Sequence, residues 1–182
     1  MNCMKDELKN TLLNDGFDAY LFYTPIKGHE TVLCEKLNNR YQNAYFLTLR
    51  KMMHRSKEGI KWDEQVSLLE QYLFVYVKKA EPIDFLLEIS SMTYVQDIKD
   101  GSLKDDNLAY ARWILTVDGL LGISTAVIEN GLVKITGGPL LQIEDQIVKY
   151  SKRNRNCFVS LDIAGVKIET WLPFDWRIEN KT

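Results

Sequence analysis

The chain has 182 residues, of which 46% are hydrophobic and 26% are charged, the composition of an ordinary globular protein rather than a disordered or fibrous one. Its formal net charge of −2 argues against a general nucleic-acid coat protein. Residues 1–120 hold 15 Lys and Arg against 18 Asp and Glu, and residues 121–182 hold 8 against 7. Any nucleic-acid contact must therefore use local basic patches.

The cysteine and histidine content points away from metal sites and catalysis. Cys3, Cys34 and Cys157 are scattered, so we expect no disulfide framework, no zinc site and a reduced, cytoplasmic setting. His29 and His54 belong to no recognised catalytic pattern, and the hydrolase and nucleotide-binding motifs are missing from the sequence. The N-terminus lacks a signal-peptide pattern, and no apolar run is long enough to span a membrane. We expect a protein that is not an enzyme, binds no cofactor and has no membrane association.

The front half of the chain alternates between helical and strand patterns. Helices are predicted at 4–15, where Gly16 ends the apolar stripe, at 28–41 with Val32, Leu33 and Leu37 buried, from Glu81 onward, and at 105–117. Strands are predicted at 17–24, 44–53, 60–68, 72–77 and 92–98. The segment 72–77 is apolar on both faces, which indicates a central strand. The sequence thus predicts an α+β domain with helices against a mainly antiparallel sheet.

The back half predicts a small β-barrel or curled sheet. Its strands are separated by Gly137-Gly138-Pro139, by the polar segment 151–156 and by Ala164-Gly165. Along the last strand Lys167 and Trp171 alternate with apolar residues, so both are expected to face outward. The predicted division is an N-terminal extension with a short helix (1–16), a domain (17–118), a linker (119–130) and the barrel (131–182).

Three groups of residues are candidates for binding, and each has an ordinary structural alternative. The aromatic segment Tyr72, Phe74 and Tyr76 is either plain core or an exposed apolar patch for a partner. The basic hairpin, which consists of Arg50, Lys51, His54, Arg55, Lys57 and Lys61 with only Glu58 opposing, is either a solvated edge or a phosphate contact. The basic tip, which consists of Lys149, Lys152, Arg153 and Arg155, is either a solvated turn or a phosphate contact. Lys167 and Trp171 share a face of the neighbouring strand, where Trp171 either adds a stacking surface or packs against Trp176 to close the barrel.

Several of these segments resemble the NusG family of transcription factors over roughly residues 17–179. Val133 to Leu140 resembles the first strand and Gly-Pro turn of an SH3-like KOW barrel. Gly28-His29-Glu30 and Tyr72 to Val75 resemble the N-terminal (NGN) domain of that family. Four segments are most similar to the specialised LoaP antitermination branch, with UpxY and RfaH as neighbouring branches: 109–115, 122–124, 138–140 and 171–172.

The resemblance implies a specific set of partners. The NGN-like domain would contact the clamp helices of bacterial RNA polymerase through Leu69, Tyr72 and Phe74, and would lie beside upstream DNA through Lys27 and the basic hairpin. The KOW-like barrel would bind a structured leader RNA hairpin, and the chain would act as a monomer that suppresses pausing and termination. The alternatives are a general NusG-like factor whose barrel binds the ribosome or a termination factor, a ribosome-associated KOW protein, and a pure protein-interaction module.

Overall fold

A computed structural model describes residues 2–79, 84 and 101–177. The predicted strand 92–98 lies outside these residues. The helix predicted from Glu81 also lies outside them, except for Asp84, which is helical. The described elements are α1 (Asn2–Asp15), β1 (Phe17–Tyr23), α2 (Glu30–Arg40), β2 (Ala44–Leu47), β3 (Arg50–Lys57), β4 (Ile60–Ser67), β5 (Tyr72–Lys78), α3 (Asp105–Thr116), β6 (Leu120–Leu121), β7 (Ser124–Glu129), β8 (Leu132–Gly137), a 3-10 helix (Pro139–Gln146), β9 (Ile147–Ser151), β10 (Asn156–Ile163) and β11 (Val166–Arg177).

The chain forms two compact units. Unit 1 comprises Met1–Leu49 and Leu69–Gly119, and unit 2 comprises Arg50–Leu68 and Leu120–Thr182. The hairpin of β3 and β4 therefore belongs with the C-terminal strands, whereas the sequence had placed it in the front domain. Residues 119–130 were predicted to form a linker, but they contain the strands β6 and β7.

Unit 1 is built on an antiparallel sheet with the order β1-β5-β2. Leu73, Val75 and Val77 of β5 pack in one cluster with Cys34 and Leu37 of α2. The alternate residue Tyr76 is fully buried, and its hydroxyl donates a 3.0 Å hydrogen bond to the carbonyl of Ala111 in α3. Helices therefore cover both faces of β5, which confirms the predicted central strand.

Helix α1 is part of unit 1 rather than a separate extension. Leu8 and Leu12 are buried, and α1 contacts α3, β2 and β5. The helix ends where Gly16 adopts φ +86° and donates its N–H to the carbonyl of Leu12, as the sequence predicted. In α2 the prediction was wrong for Val32, which is exposed, while Cys34 takes the buried position.

Unit 2 contains a five-stranded sheet with the order β8-β7-β11-β10-β9. Strand β7 pairs with β11 in parallel, and the other neighbours are antiparallel. A smaller sheet has the order β4-β3-β6. The strand predicted at 44–53 is divided, because β2 ends at Leu47 and β3 begins at Arg50 in the other unit.

The outward face of the five-stranded sheet follows the predicted alternation. Cys157, Val159 and Leu161 are buried on one side of β10, and Phe158 lies on the other side, directly opposite Trp171 of β11. The face that carries Trp171 is therefore the partly exposed face of this sheet. None of the described helices is long and apolar enough to cross a membrane.

Candidate nucleic-acid interface

A row of three side chains crosses the outward face of the unit 2 sheet. Lys149 of β9, Phe158 of β10 and Trp171 of β11 are register neighbours. The Phe158 and Trp171 rings meet edge to face with centroids 5.3 Å apart, and the Lys149 ammonium lies 5.1 Å and 5.3 Å from the two centroids. Trp171 remains 38% exposed. This row joins a π surface to a cation, the combination that proteins use to stack a nucleic-acid base beside its phosphate.

Lys167 shares that face with Trp171, but its charge is matched locally. Its ammonium lies 2.6 Å from the carboxylate of Glu169, and both side chains are largely exposed. An exposed pair of this kind contributes little to stability. It does reduce the attraction that Lys167 can exert on a phosphate.

The turn between β9 and β10 fixes the rest of the basic tip. Arg155 adopts φ +50°, its N–H donates to the carbonyl of Lys152 at 3.2 Å, and its carbonyl accepts the N–H of Phe174 at 2.9 Å. This four-residue turn has Arg153 and Asn154 at its centre. The Lys152 ammonium donates to the carbonyl of Gly131.

The two arginines of the tip differ in their surroundings. The Arg155 guanidinium lies 3.6 Å from the carboxylate of Asp175 and 5.7 Å from the centroid of the Trp176 ring. Arg153 is exposed and, among the described residues, has neither an ion-pair nor a hydrogen-bond partner. Of these two arginines, Arg153 is the one whose charge is uncommitted.

The basic hairpin is less basic than the sequence suggested. His54 Nδ1 lies 2.7 Å from the carboxylate of Asp63, and Arg55 Nε donates to Glu64 at 2.7 Å. Both carboxylates come from β4, whose antiparallel register with β3 sets them beside these side chains. Glu58 is therefore not the only acidic residue that opposes the hairpin cations.

The remaining hairpin cations divide into bound and unbound ones. Lys51 donates to the Thr170 hydroxyl at 2.6 Å and to the Trp171 carbonyl at 3.2 Å, and burial, followed by the nearby Arg55 charge, lowers the Lys51 pKa. Arg50 donates to Gln65 Oε1 at 3.0 Å. Lys57 and Lys61 are exposed and have no partner within the described part of the chain. Lys51 thus links β3 to β11, which leaves Lys57 and Lys61 as the free lysines.

Lys27, the seventh predicted DNA contact, belongs to unit 1 rather than to the unit that holds the hairpin. Its ammonium lies 2.7 Å from the Glu70 carboxylate, and the hydrogen bond to Glu70 raises the Lys27 pKa. The structure therefore gives Lys27 a local partner within unit 1.

The three residues predicted to contact polymerase are mostly inside unit 1. Phe74 is fully buried and Leu69 is 5% exposed, which favours the core interpretation for both. Tyr72 is half-buried, and its ring meets that of Tyr23 edge to face with centroids 5.3 Å apart. Tyr72 is the member of this set that a partner can reach without unfolding the sheet.

Unit 2 also contains a cleft of about 450 Å³ that brings hairpin and tip residues together. Its lining residues come from both segments and from β11: His54, Arg55, Ser56, Lys61, Trp62, Asp63, Arg153, Asn154, Arg155 and Asp175. Trp62 and Asn154 are not among the binding residues predicted from the sequence. A tryptophan flanked by Lys61 and Asp63 in the predicted strand 60–68 was the sequence signal that could have identified Trp62. Within the described ranges, no group of three or more His, Cys, Asp or Glu side chains could hold a metal ion.

Comparison with known proteins gives little further information. No protein-family model matches the chain, and no curated protein matches it. A solved structure titled "Domain interaction in Thermotoga maritima NusG" is similar, with a TM-score of 0.48 and 18% identity over 86% of this chain and 93% of that chain. Because both values are low, this likeness by itself assigns neither a family nor a function to the chain.

Proposed function

We propose that this chain is a NusG-like transcription factor that binds RNA polymerase through unit 1 and structured RNA through the sheet of unit 2. The observation that carries the proposal is the row of Lys149, Phe158 and Trp171, an exposed stacking surface with its own cation. The sequence resemblance to the LoaP branch supplies the biological setting, which is suppression of pausing and termination. The chain would catalyse no reaction and would act by stabilising the elongating state of the polymerase.

The surface suits RNA with unpaired bases better than a continuous duplex. Side chains cannot reach into the deep, narrow major groove of A-form RNA, so specific recognition relies on splayed loop bases and on shape. A splayed base can stack on the exposed part of Trp171, while Lys149 and the adjacent turn attract the flanking phosphates. The leader RNA hairpin that the resemblance implies offers both features.

The polymerase contact would be centred on Tyr72 rather than on Phe74 or Leu69. Tyr72 and Tyr23 form a partly exposed aromatic pair, and Gln71 Nε2 donates to the Tyr23 hydroxyl at 3.0 Å. Exposed aromatic pairs of this kind are common anchors of protein interfaces. Phe74 lies beneath in the core and would support the surface without touching a partner.

The RNA half of the proposal is tested by titrating the full chain with a loop-containing RNA hairpin and with a blunt duplex of the same length. Replacing Trp171 by Ala should weaken hairpin binding by about 1–3 kcal/mol, the value of one stacked base, and should leave duplex binding nearly unchanged. Trp171→Phe should restore much of the loss. Lys149→Gln should reduce the salt dependence of binding, and the matched control Lys167→Gln should do so less, because Glu169 already neutralises Lys167.

The partner half is tested by capturing complexes on the full chain from bacterial lysate and identifying both protein and RNA. Polymerase subunits support the proposal, whereas ribosomal subunits without polymerase would replace it with the ribosome-associated alternative. If the chain captures polymerase but binds RNA hairpins no better than random RNA, the RNA function is wrong. A general NusG-like role with a protein partner on the sheet of unit 2 would then take its place.

A further inference from the structure

The cleft of unit 2 joins two basic segments that the proposed function treats as separate contacts. Part of its lining comes from the β3–β4 hairpin, and the rest comes from the β9–β10 turn and from β11. The bond from Lys51 to Thr170 ties β3 to β11, and the bond from Phe174 to the Arg155 carbonyl ties β11 to the turn. The lining segments are therefore connected within one unit by specific hydrogen bonds.

The lining carries more positive than negative charge. Arg55, Lys61, Arg153 and Arg155 are four cations against the two carboxylates Asp63 and Asp175, a surplus of two before His54 is counted. Asp63 is engaged by His54, Asp175 by Arg155, and Arg55 by Glu64, which lies outside the lining. Within the described residues, Lys61 and Arg153 remain without a partner. An anion that enters the cleft would meet two uncommitted cations from different segments.

Trp62 gives the cleft a π surface. Its side chain is 43% exposed although it is large and apolar, and it lies on β4, the edge strand of its sheet. Exposing a tryptophan costs hydrophobic free energy, which binding to a flat apolar group would recover. Lys61 and Arg153 line the same cleft as this indole, and proteins combine cations with exposed aromatic rings to bind bases and their flanking phosphates.

We propose that this cleft binds a single-stranded polynucleotide, with one base stacked on Trp62 and the neighbouring phosphates held by Lys61 and Arg153. The volume of about 450 Å³ falls within the range of about 300–1,000 Å³ that suits one small organic group, such as a nucleotide. A duplex keeps its bases stacked inside and offers no free face to Trp62, so the cleft favours a single strand. Asn154, at the centre of the turn, supplies an amide that can donate to or accept from the base edge. The inference does not depend on polymerase binding.

The test measures binding of the full chain to fluorescent single strands of twelve nucleotides. The probes are oligo(dT), oligo(U), an abasic strand of the same length and a twelve-base-pair duplex. Trp62→Ala should weaken binding to oligo(dT) and oligo(U) by about 5- to 150-fold, the equivalent of one lost stacking contact, and should change binding to the abasic strand by less than about 2-fold. Trp62→Phe should recover most of the affinity. Equal loss with oligo(dT) and oligo(U) identifies a site that ignores the sugar, and a larger loss with oligo(U) identifies an RNA site.

Charge variants provide the second readout, with a control on the same hairpin. Lys61→Gln and Arg153→Gln should each lower the slope of log affinity against log salt by about 0.7, the value expected for one phosphate contact on a single strand. Lys57→Gln is the matched control, because Lys57 is also exposed and unpaired among the described residues but does not line the cleft. All these positions are exposed, so the variants should keep the wild-type melting temperature.

Three results would overturn the inference. The first is a wild-type affinity for the duplex equal to that for the single strands. The second is a loss on Trp62→Ala that is as large with the abasic strand as with oligo(dT). The third is an equal slope change for Lys57→Gln and Lys61→Gln, which would show a general electrostatic field and no defined site. Because Trp171→Ala is measured on RNA hairpins and Trp62→Ala on single strands, the inference and the proposed function can fail separately.

Discussion

Phe74 and Tyr72 lie two residues apart on β5, and they differ in burial in a way that substitution can test. Phe74 is fully buried, and its ring stacks on that of Tyr76 with centroids 6.4 Å apart. Replacing Phe74 by Ala removes a whole ring from the core and should cost about 3–5 kcal/mol. Since a domain is stable by only about 5–15 kcal/mol, this single change removes a large part of the total.

Tyr72 should behave differently because it is half-buried at the start of the strand. Tyr72→Ala removes an edge-to-face contact with Tyr23, worth about 0.5–1.5 kcal/mol beyond the partial loss of buried area. The fold should survive, and capture of RNA polymerase should fall. Phe74→Leu serves as the control, because it keeps the position apolar and should cost less than Phe74→Ala.

Urea unfolding followed by circular dichroism gives the free energy of unfolding of each variant, and polymerase capture is measured in parallel. A loss of less than about 1 kcal/mol for Phe74→Ala would refute the buried position of that ring. If Tyr72→Ala loses as much stability as Phe74→Ala, the distinction between surface and core is wrong. If Tyr72→Ala keeps both stability and polymerase capture, Tyr72 is not part of the contact.

Two further predictions concern unit 2. Gly138 has φ +82° and ψ −172°, and a Cβ at this position would lie 2.7 Å from Ser124 Cα. Gly138→Ala should therefore lower the free energy of unfolding in urea by more than about 2 kcal/mol. In the control Gly131→Ala, at φ +79° with open space around the residue, only the backbone strain should lower the stability, so the loss should be smaller. Burial raises the pKa of the Cys157 thiol from 9.0 to about 12, so the folded chain holds a proton that the unfolded chain releases, and stability should fall as the pH rises from about 9 to 12. In Cys157→Val this part of the alkaline loss should be missing, and an unchanged pH profile would show that the thiol is not the source.

The sequence alone determined the features that depend on neighbouring residues. The apolar run at 72–77 identified the central strand, and Gly16 identified the end of α1, because burial on both faces and a left-handed cap leave local signatures. The alternation along β11 placed Trp171 on the outward face, because successive side chains of a strand point to opposite faces. The basic hairpin and the basic tip were also visible, since each is a cluster of charges within one short segment.

Which of these charges remain free, and which segments meet, depends on how the strands are arranged in three dimensions. The β3–β4 register sets Asp63 and Glu64 against the hairpin cations, and the 2.6 Å bond from Lys51 reaches Thr170, which is 119 residues away in the chain. The parallel pairing of β7 with β11 converts a predicted linker into a strand. Contacts at such separations depend on how strands are arranged in space, which local periodicity does not encode. The cleft beside Trp62 exists for that reason alone, because its lining residues come from segments that only the fold brings together.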